Sequence, residues 1–345
     1  MKIVKKNIYI YLNSSKKIGR GHFSRIINLI SYVNINKKKL IILYSSLLDD
    51  HLELIVNNKI KAKKISKIKL LDYEFTNKDI LILDTYFYYY NDFCNLYRKI
   101  NKLIIIDDRK SIKYKCDLFL DQNLHKKLLL NDNNLSTVND DPYKFYGPNY
   151  FIFDKKILNL KIKKRKKRNI LINLGGGEKL DSIRNIILFT KNILDKIKDK
   201  NELFEIIVIS RFNEVLESSL NIQSFVDSNI HIHFYSFISE ITSVYKNLSF
   251  SICTFGLSFY EKAYLNIPSI SFSVNSIQHY EGIVAKKMNL SFYIGSIFKF
   301  NRIKFEQCFT NLYYEDHSLK PNCIFKNHHK NFNFMIDKIQ SLVDE

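Results

Sequence analysis

Several groupings in the chain have residue types and spacings suited to chemistry. The first is Ser14-Ser-Lys-Lys-Ile-Gly19-Arg20-Gly21-His22-Phe-Ser-Arg25. Gly19 and Gly21 let a backbone turn sharply and approach a ligand, and a helix starting behind them offers free N–H groups to an anion. A histidine at such a helix start, His22, tends to be a neutral imidazole that accepts a proton. A capping or packing histidine is the equal alternative. Arg25 follows one turn later on roughly the same helical face. Ser24 stands where a GxGxxG dinucleotide fingerprint needs its third glycine, so a plain NAD site is not indicated.

The remaining groupings collect at strand ends. Asp84-Thr85-Tyr86, Asp107-Asp108-Arg109 and Asp121-Gln122-Asn123 each close an apolar run. A single acid there is often a helix cap and a weak signal, and three on the same sheet edge as His22 are a better one. Leu174-Gly175-Gly176-Gly177-Glu178 reads as a backbone amide nest for phosphate or as a tight turn. It lacks the GKS/T of a Walker loop. Gly256-Leu257-Ser258-Phe-Tyr-Glu261 opens a helix whose Glu261 is placed to accept ribose hydroxyls or to complement the helix dipole. Gln278-His279 follows. The residues of these groupings that could meet a substrate are Gly19, Gly21, Arg25, Asp84, Asp108, Gly175, Gly176, Gly177, Gly256, Leu257, Ser258, Glu261 and Gln278. His22 is the candidate proton acceptor, and Tyr86 could stack on a sugar or belong to a packed helix start.

Other arrangements fail as sites. His231 and His233 alternate along a strand with no acid or cysteine beside them. Ser258 lacks the flanking glycine of a nucleophile elbow. The five cysteines are widely spaced without CxxC, so reduced thiols are expected and no metal ligand set is indicated. No D-x-D sequence occurs, which disfavours metal-dependent sugar transfer, and no cofactor is expected.

These residues need a scaffold. The chain has 345 residues, 46% of them hydrophobic and 14% aromatic, a globular composition long enough for two domains. No apolar run reaches the ~20 residues of a membrane span. Met1-Lys-Ile-Val-Lys-Lys leads directly into Ile8–Leu12, shorter than a signal-peptide core, so a first strand in a cytoplasmic protein is expected. The net charge of +20 reflects heavy use of Lys, and no nucleic-acid-binding motif accompanies it. A nucleic-acid partner is not expected, nor stable membrane insertion. A monomer is sufficient, the sequence leaving the oligomeric state open.

Short apolar strands alternate with helix-period segments, the pattern of an α/β fold with parallel sheets. The first half predicts strands at Ile8–Leu12, Leu40–Tyr44, Ile80–Asp84, Leu103–Asp107 and Asp117–Leu120. The second predicts Ile170–Leu174, Glu205–Ser210, Ile230–Tyr235, Phe250–Thr254, Ser269–Val274 and Phe292–Ile294. Phe23, Ile26, Ile27, Ile30 and Val33 make one helical stripe. The basic run Lys161–Arg168 is the linker candidate. The expectation is two tandem Rossmann-like domains, 1–160 and 169–300, with a ligand cleft between them and a helical tail over 301–345.

The order GxGHxxR, D-x-Y, a strand ending in Asp-Asp, GG-x-acid, GLSxxExAxxxIPSI and Gln resembles the UDP-2,4-diacetamido-2,4,6-trideoxy-β-L-altropyranose hydrolases of pseudaminic acid biosynthesis. The resemblance covers about residues 8–295. That family is similar in fold to MurG-type glycosyltransferases, the GT-B fold. The family pattern reads Asn-Gln where this chain has Ile277-Gln278, with Asn275 nearby. The resemblance implies a metal-independent UDP-sugar hydrolase in which His22 activates water and Tyr86 lines the sugar site. It also implies that Gly19, Gly21 and Gly175–Gly177 approach the diphosphate and that Glu261 meets the uridine ribose. A GT-B glycosyltransferase of surface polysaccharide synthesis and a non-catalytic nucleotide-sugar binder are the alternatives, separated by whether UDP release needs an acceptor or occurs at all.

Overall fold

The computed structural model of the chain describes residues 6–15, 19–86, 88–109, 113–124, 143–162, 168–175, 177–197, 199, 202–314 and 318–345. Gly176 and most of the basic run 161–168 lie outside the described residues. The chain divides into two compact units, residues 1–152 with 327–345, and residues 153–326.

The first unit is built on a parallel sheet of seven strands: β1 (Ile8–Leu12), β2 (Leu40–Tyr44), β3 (Lys61–Lys64), β4 (Ile80–Asp84), β5 (Lys102–Ile106), β6 (Leu118–Asp121) and β7 (Tyr143–Tyr146). Their spatial order is β3-β2-β1-β4-β5-β6-β7. Between and after the strands come α1 (Gly21–Tyr32), α2 (Asp49–Asn57), α3 (Lys67–Leu71) and α4 (Tyr90–Tyr97). β1 and β4 are buried along their whole length, as strands covered on both faces must be. The strand order reverses between β1 and β4, where Leu12 pairs with Asp84. In a doubly wound sheet the loops leaving that point splay apart and make a crevice at the strand C-termini. The loop to His22 leaves β1, and Asp84 ends β4.

The second unit repeats the plan with α5 (Lys155–Leu158), β8 (Asn169–Asn173), α6 (Leu180–Ile197), β9 (Phe204–Ile209), α7 (Asn213–Ser219), α8 (Ile222–Val226) and β10 (Ile230–Tyr235). It continues with α9 (Ile241–Tyr245), β11 (Phe250–Thr254), α10 (Leu257–Tyr264), β12 (Ser269–Ser273), α11 (Ser276–Lys287), β13 (Phe292–Ser296) and α12 (Arg302–Tyr313). Its six parallel strands run β10-β9-β8-β11-β12-β13, reversing between β8 and β11. Two Rossmann-like units in tandem match the expected fold class.

Two strands escaped the sequence pattern. β3 reads Lys-Ala-Lys-Lys and pairs with β2 at the sheet edge, where solvent carries the charges and apolar residues are not needed. β7 follows a long polar stretch and pairs with β6 at the opposite edge. The segment after residue 300, expected as one tail, is divided: α12 packs in the second unit, while α13 (His328–Asp344) belongs to the first. Phe332, Met335, Ile339, Leu342 and Val343 of α13 join the core formed by β1, β4 and α1. Among the described residues no helix is long and apolar enough to cross a membrane.

Because Ile339 is fully buried in that core, Ile339→Ala should destabilise the first unit by about 2–5 kcal/mol. Hydrogen exchange would show faster opening of β1 and β4 with β8 and β11 unchanged. Equal loss of protection in both units would contradict the assignment of α13.

Candidate functional site

The polar groups of the first unit gather at the β1/β4 reversal. α1 begins at Gly21 directly after Arg20, and Gly19 has φ of +88°, a conformation that suits glycine. His22 and Arg25, three residues apart, face the end of β4 together. Of the stripe expected on α1, Phe23 and Ile26 are buried, Ile27 and Ile30 are partly buried against the same core, and Val33 is buried just past the helix end, with Arg25 buried as well. That burial has a partner. Arg25 Nε donates to Asp84 Oδ2 at 2.9 Å, and Arg25 Nη2 donates to Asp84 Oδ1. His22 Nδ1 lies 2.5 Å from the same Oδ1.

The Asp84 side chain is 0% exposed and that of His22 11%. Burial pushes the Asp84 carboxyl up, but the charge of Arg25, then of His22, and their hydrogen bonds outweigh it and hold it at about 2. Arg25 is likewise pulled down by burial and carried above its ordinary value by Asp84. With Asp84 ionised, His22 donates through Nδ1, and in the neutral ring Nε2 carries the lone pair. An acid that fixes an imidazole tautomer in this way equips the other nitrogen to take a proton.

Tyr86 packs edge-on against His22, ring centroids 4.9 Å apart. Its hydroxyl donates to Asp108 Oδ2 at 3.1 Å, and Asn123 Nδ2 donates to the same oxygen at 2.7 Å. Asp107 instead forms an ion pair with Arg109 at 2.6 Å. Of the adjacent acids Asp107 and Asp108, only Asp108 therefore joins His22 and Tyr86.

Sequence reading missed His51. It lies on α2, stacks on Phe23 at 3.8 Å, accepts or donates at Ser14 Oγ at 2.8 Å, and sits 3.1 Å from Arg20 Nη1. Burial, and then the Arg20 charge, push it down to about 4. It buttresses the glycine loop from behind, a role no local spacing reveals.

In the second unit the loops after β8, β11 and β12 are tied together. Thr254 Oγ1 donates to the Leu174 carbonyl at 2.7 Å. Gln278 accepts from Val274 N at 3.0 Å and donates to the Phe255 carbonyl at 2.5 Å. A Cβ on Gly177 would stand 2.7 Å from Val274 Cγ2, so the close approach there requires glycine. Gly175 and Gly256 have φ of +70° and +152°. The Gly175 N–H is already bound to Asn173 Oδ1 at 3.1 Å. Asn275 caps α11, its Oδ1 accepting from Gln278 N at 2.9 Å.

Glu178 and Glu261 are both buried. Glu178 Oε1 accepts from Ser210 Oγ at 2.5 Å and Arg211 N at 3.2 Å. Glu261 Oε2 accepts from Tyr245 OH at 2.9 Å, and Ser258 Oγ lies 3.2 Å from that hydroxyl. Burial drives each carboxyl up to about 7 against these hydrogen bonds. Leu257 is the first residue of α10. Tyr245, Ser210 and Arg211 carry no motif and were not foreseen. Among the described residues no group of three or more His, Cys, Asp and Glu side chains is arranged to hold a metal ion.

Each unit is a Rossmann-like sheet with its polar groups at the strand reversal, and the tandem arrangement is that of the GT-B fold. Solved structures similar to the chain include MurG of Acinetobacter baumannii (TM-score 0.59, 12% identity, 98% of this chain and 100% of that one). The glycotransferase of kitacinnamycin (TM-score 0.60, 8% identity, 97% and 98%) and the S. aureus MnaA–UDP co-structure (TM-score 0.57, 13% identity, 99% and 97%) are also similar. At these identities the likeness is one of fold. No protein-family model and no curated protein matches the chain.

Asp84→Asn should destabilise the protein by about 3–5 kcal/mol, because Arg25 is left as a buried charge without its carboxylate. Urea denaturation checks it, and a change under ~1 kcal/mol would contradict the pairing. The buried glutamates have folded pKa values raised above the unfolded one. Their contribution is full below about pH 4.3 and is lost as pH rises through about 7. Glu261→Gln should therefore flatten the fall in the melting temperature across that window.

Proposed function

We propose that the chain is an enzyme acting on a nucleotide sugar, and specifically a UDP-sugar hydrolase. The observation that carries this reading is the His22 Nδ1–Asp84 contact of 2.5 Å, which leaves Nε2 as a general base at the mouth of a glycine turn. The first unit supplies the base, His22, held by the Arg25-paired Asp84, and the sugar contacts through Tyr86 and Asp108. The second supplies nucleotide contacts through Gly175, Gly177, Gly256, Leu257, Ser258, Glu261 and Gln278. The UDP in the similar MnaA structure supports uridine diphosphate as the nucleotide.

In the proposed reaction His22 Nε2 takes a proton from water as the water oxygen bonds to the anomeric carbon. The bond from that carbon to the diphosphate oxygen breaks, and UDP leaves with the electron pair. Asp84 stabilises the imidazolium that forms, as a buried carboxylate does for a catalytic histidine. General-base assistance of this kind is worth about 10²–10⁴-fold. The sequence resemblance supports a 2,4-diacetamido-2,4,6-trideoxy sugar as the substrate.

The test is UDP release from UDP-2,4-diacetamido-2,4,6-trideoxy-β-L-altrose without acceptor or metal. The wild type should release UDP, and His22→Ala should slow release by about 10²-fold or more with little effect on UDP affinity. UDP binding without release until a sugar or lipid acceptor is added would replace hydrolase with transferase. Release unchanged in the variant would remove His22 from the chemistry.

A further inference from the structure

α11 carries a histidine whose orientation is fixed from inside the protein. His279 is exposed, and its Nδ1 lies 2.6 Å from the Tyr293 hydroxyl. That hydroxyl is in turn 2.9 Å from Ser273 Oγ. Tyr293 is 5% exposed and Ser273 2%, so the relay behind the imidazole is dry. The tyrosine ring is seated on purpose-made space: a Cβ on Gly282 would come within 2.4 Å of it, and its other side packs on Phe255 at 5.8 Å. Phe255 immediately precedes the Gly256 turn, and Gln278 holds its carbonyl. The relay therefore places His279 next to the loop proposed to receive the nucleotide.

The hydrogens of this relay can be assigned. If a neutral His279 donated through Nδ1, Tyr293 would donate to Ser273, and the buried Ser273 hydrogen would have no acceptor among the described residues. In the opposite direction Ser273 donates to Tyr293, Tyr293 donates to Nδ1, and every hydrogen is used. The Nε2 nitrogen then carries the ring's hydrogen and is a donor on an exposed side chain. Protonation of the ring leaves that donor in place.

We infer that His279 Nε2–H is a contact for a phosphate oxygen of the nucleotide diphosphate, with Tyr293 and Ser273 as its positioning residues. The inference rests on the proposed reading of the second unit as the nucleotide half. It adds a donor where the leaving group gathers negative charge, a contact stronger than a neutral hydrogen bond.

Calorimetric titration of the full chain with UDP and, separately, with uridine tests it. His279→Ala should weaken UDP binding about tenfold or more, with uridine changed by less than about twofold, as loss of one hydrogen bond to a charged group predicts. His279→Gln, which keeps a donor, should recover part of the loss. Tyr293→Phe should weaken UDP by a smaller factor while sparing uridine. An unchanged ratio of UDP to uridine affinity in His279→Ala overturns the inference and leaves the nucleotide-sugar reading standing. A wild type that binds neither probe overturns both. His279 is exposed, so its variants test the contact even if Tyr293→Phe fails to fold.

Discussion

A single buried carboxylate organises the first unit. Asp84 is out of water entirely, and an isolated carboxylate there would cost several kcal/mol or take up a proton. It stays ionised because the Arg25 guanidinium grips both of its oxygens and His22 adds a third contact. Each partner depends on the others. Arg25 is buried on α1 only because Asp84 is there, and Asp84 is delivered by the apolar run Ile80–Leu83, whose pairing with β1 sets the register. α1 is thus locked to β4 by a charge pair at one end and by Phe23, Ile26 and Leu29 along its length. The His22 tautomer is a by-product of that lock.

The second unit solves the same topological problem with neutral contacts. Gln278, Thr254 and the Asn275 cap tie its loops through amide and hydroxyl hydrogen bonds, and its buried acids Glu178 and Glu261 are met by hydroxyls. The difference follows from the groups involved. An ion pair at the β1/β4 reversal keeps a carboxylate charged near neutral pH, whereas hydroxyl partners leave the glutamates near about 7.

Much of this was legible in the chain. The apolar runs ending in Asp84 and Thr254 announce parallel strands whose ends carry polar groups, and GxGH announces a turn into a helix. The pairing of Asp84 with Arg25 was not legible, because Arg25 sits on a helical face that its spacing makes look partly solvent-directed. β3 was hidden because an edge strand needs no apolar pattern, and the return of α13 to the first core depends on contacts across more than half the sequence. His51, Tyr245 and Tyr293 act through rings and hydroxyls brought in from distant elements, so no local motif marks them. The choice between Asp107 and Asp108 was equally beyond the sequence, since it turns on which acid Arg109 captures.

The central claim is that Asp84 fixes His22 with its hydrogen on Nδ1 and its lone pair on Nε2. Long-range ¹⁵N–¹H correlation spectra of the imidazole nitrogens, recorded above neutral pH and assigned with His22→Gln, read the tautomer directly. The account predicts the protonated-nitrogen shift at Nδ1 and the lone-pair shift at Nε2. A neutral His22 with its hydrogen on Nε2 would contradict it and remove the base from the proposed reaction.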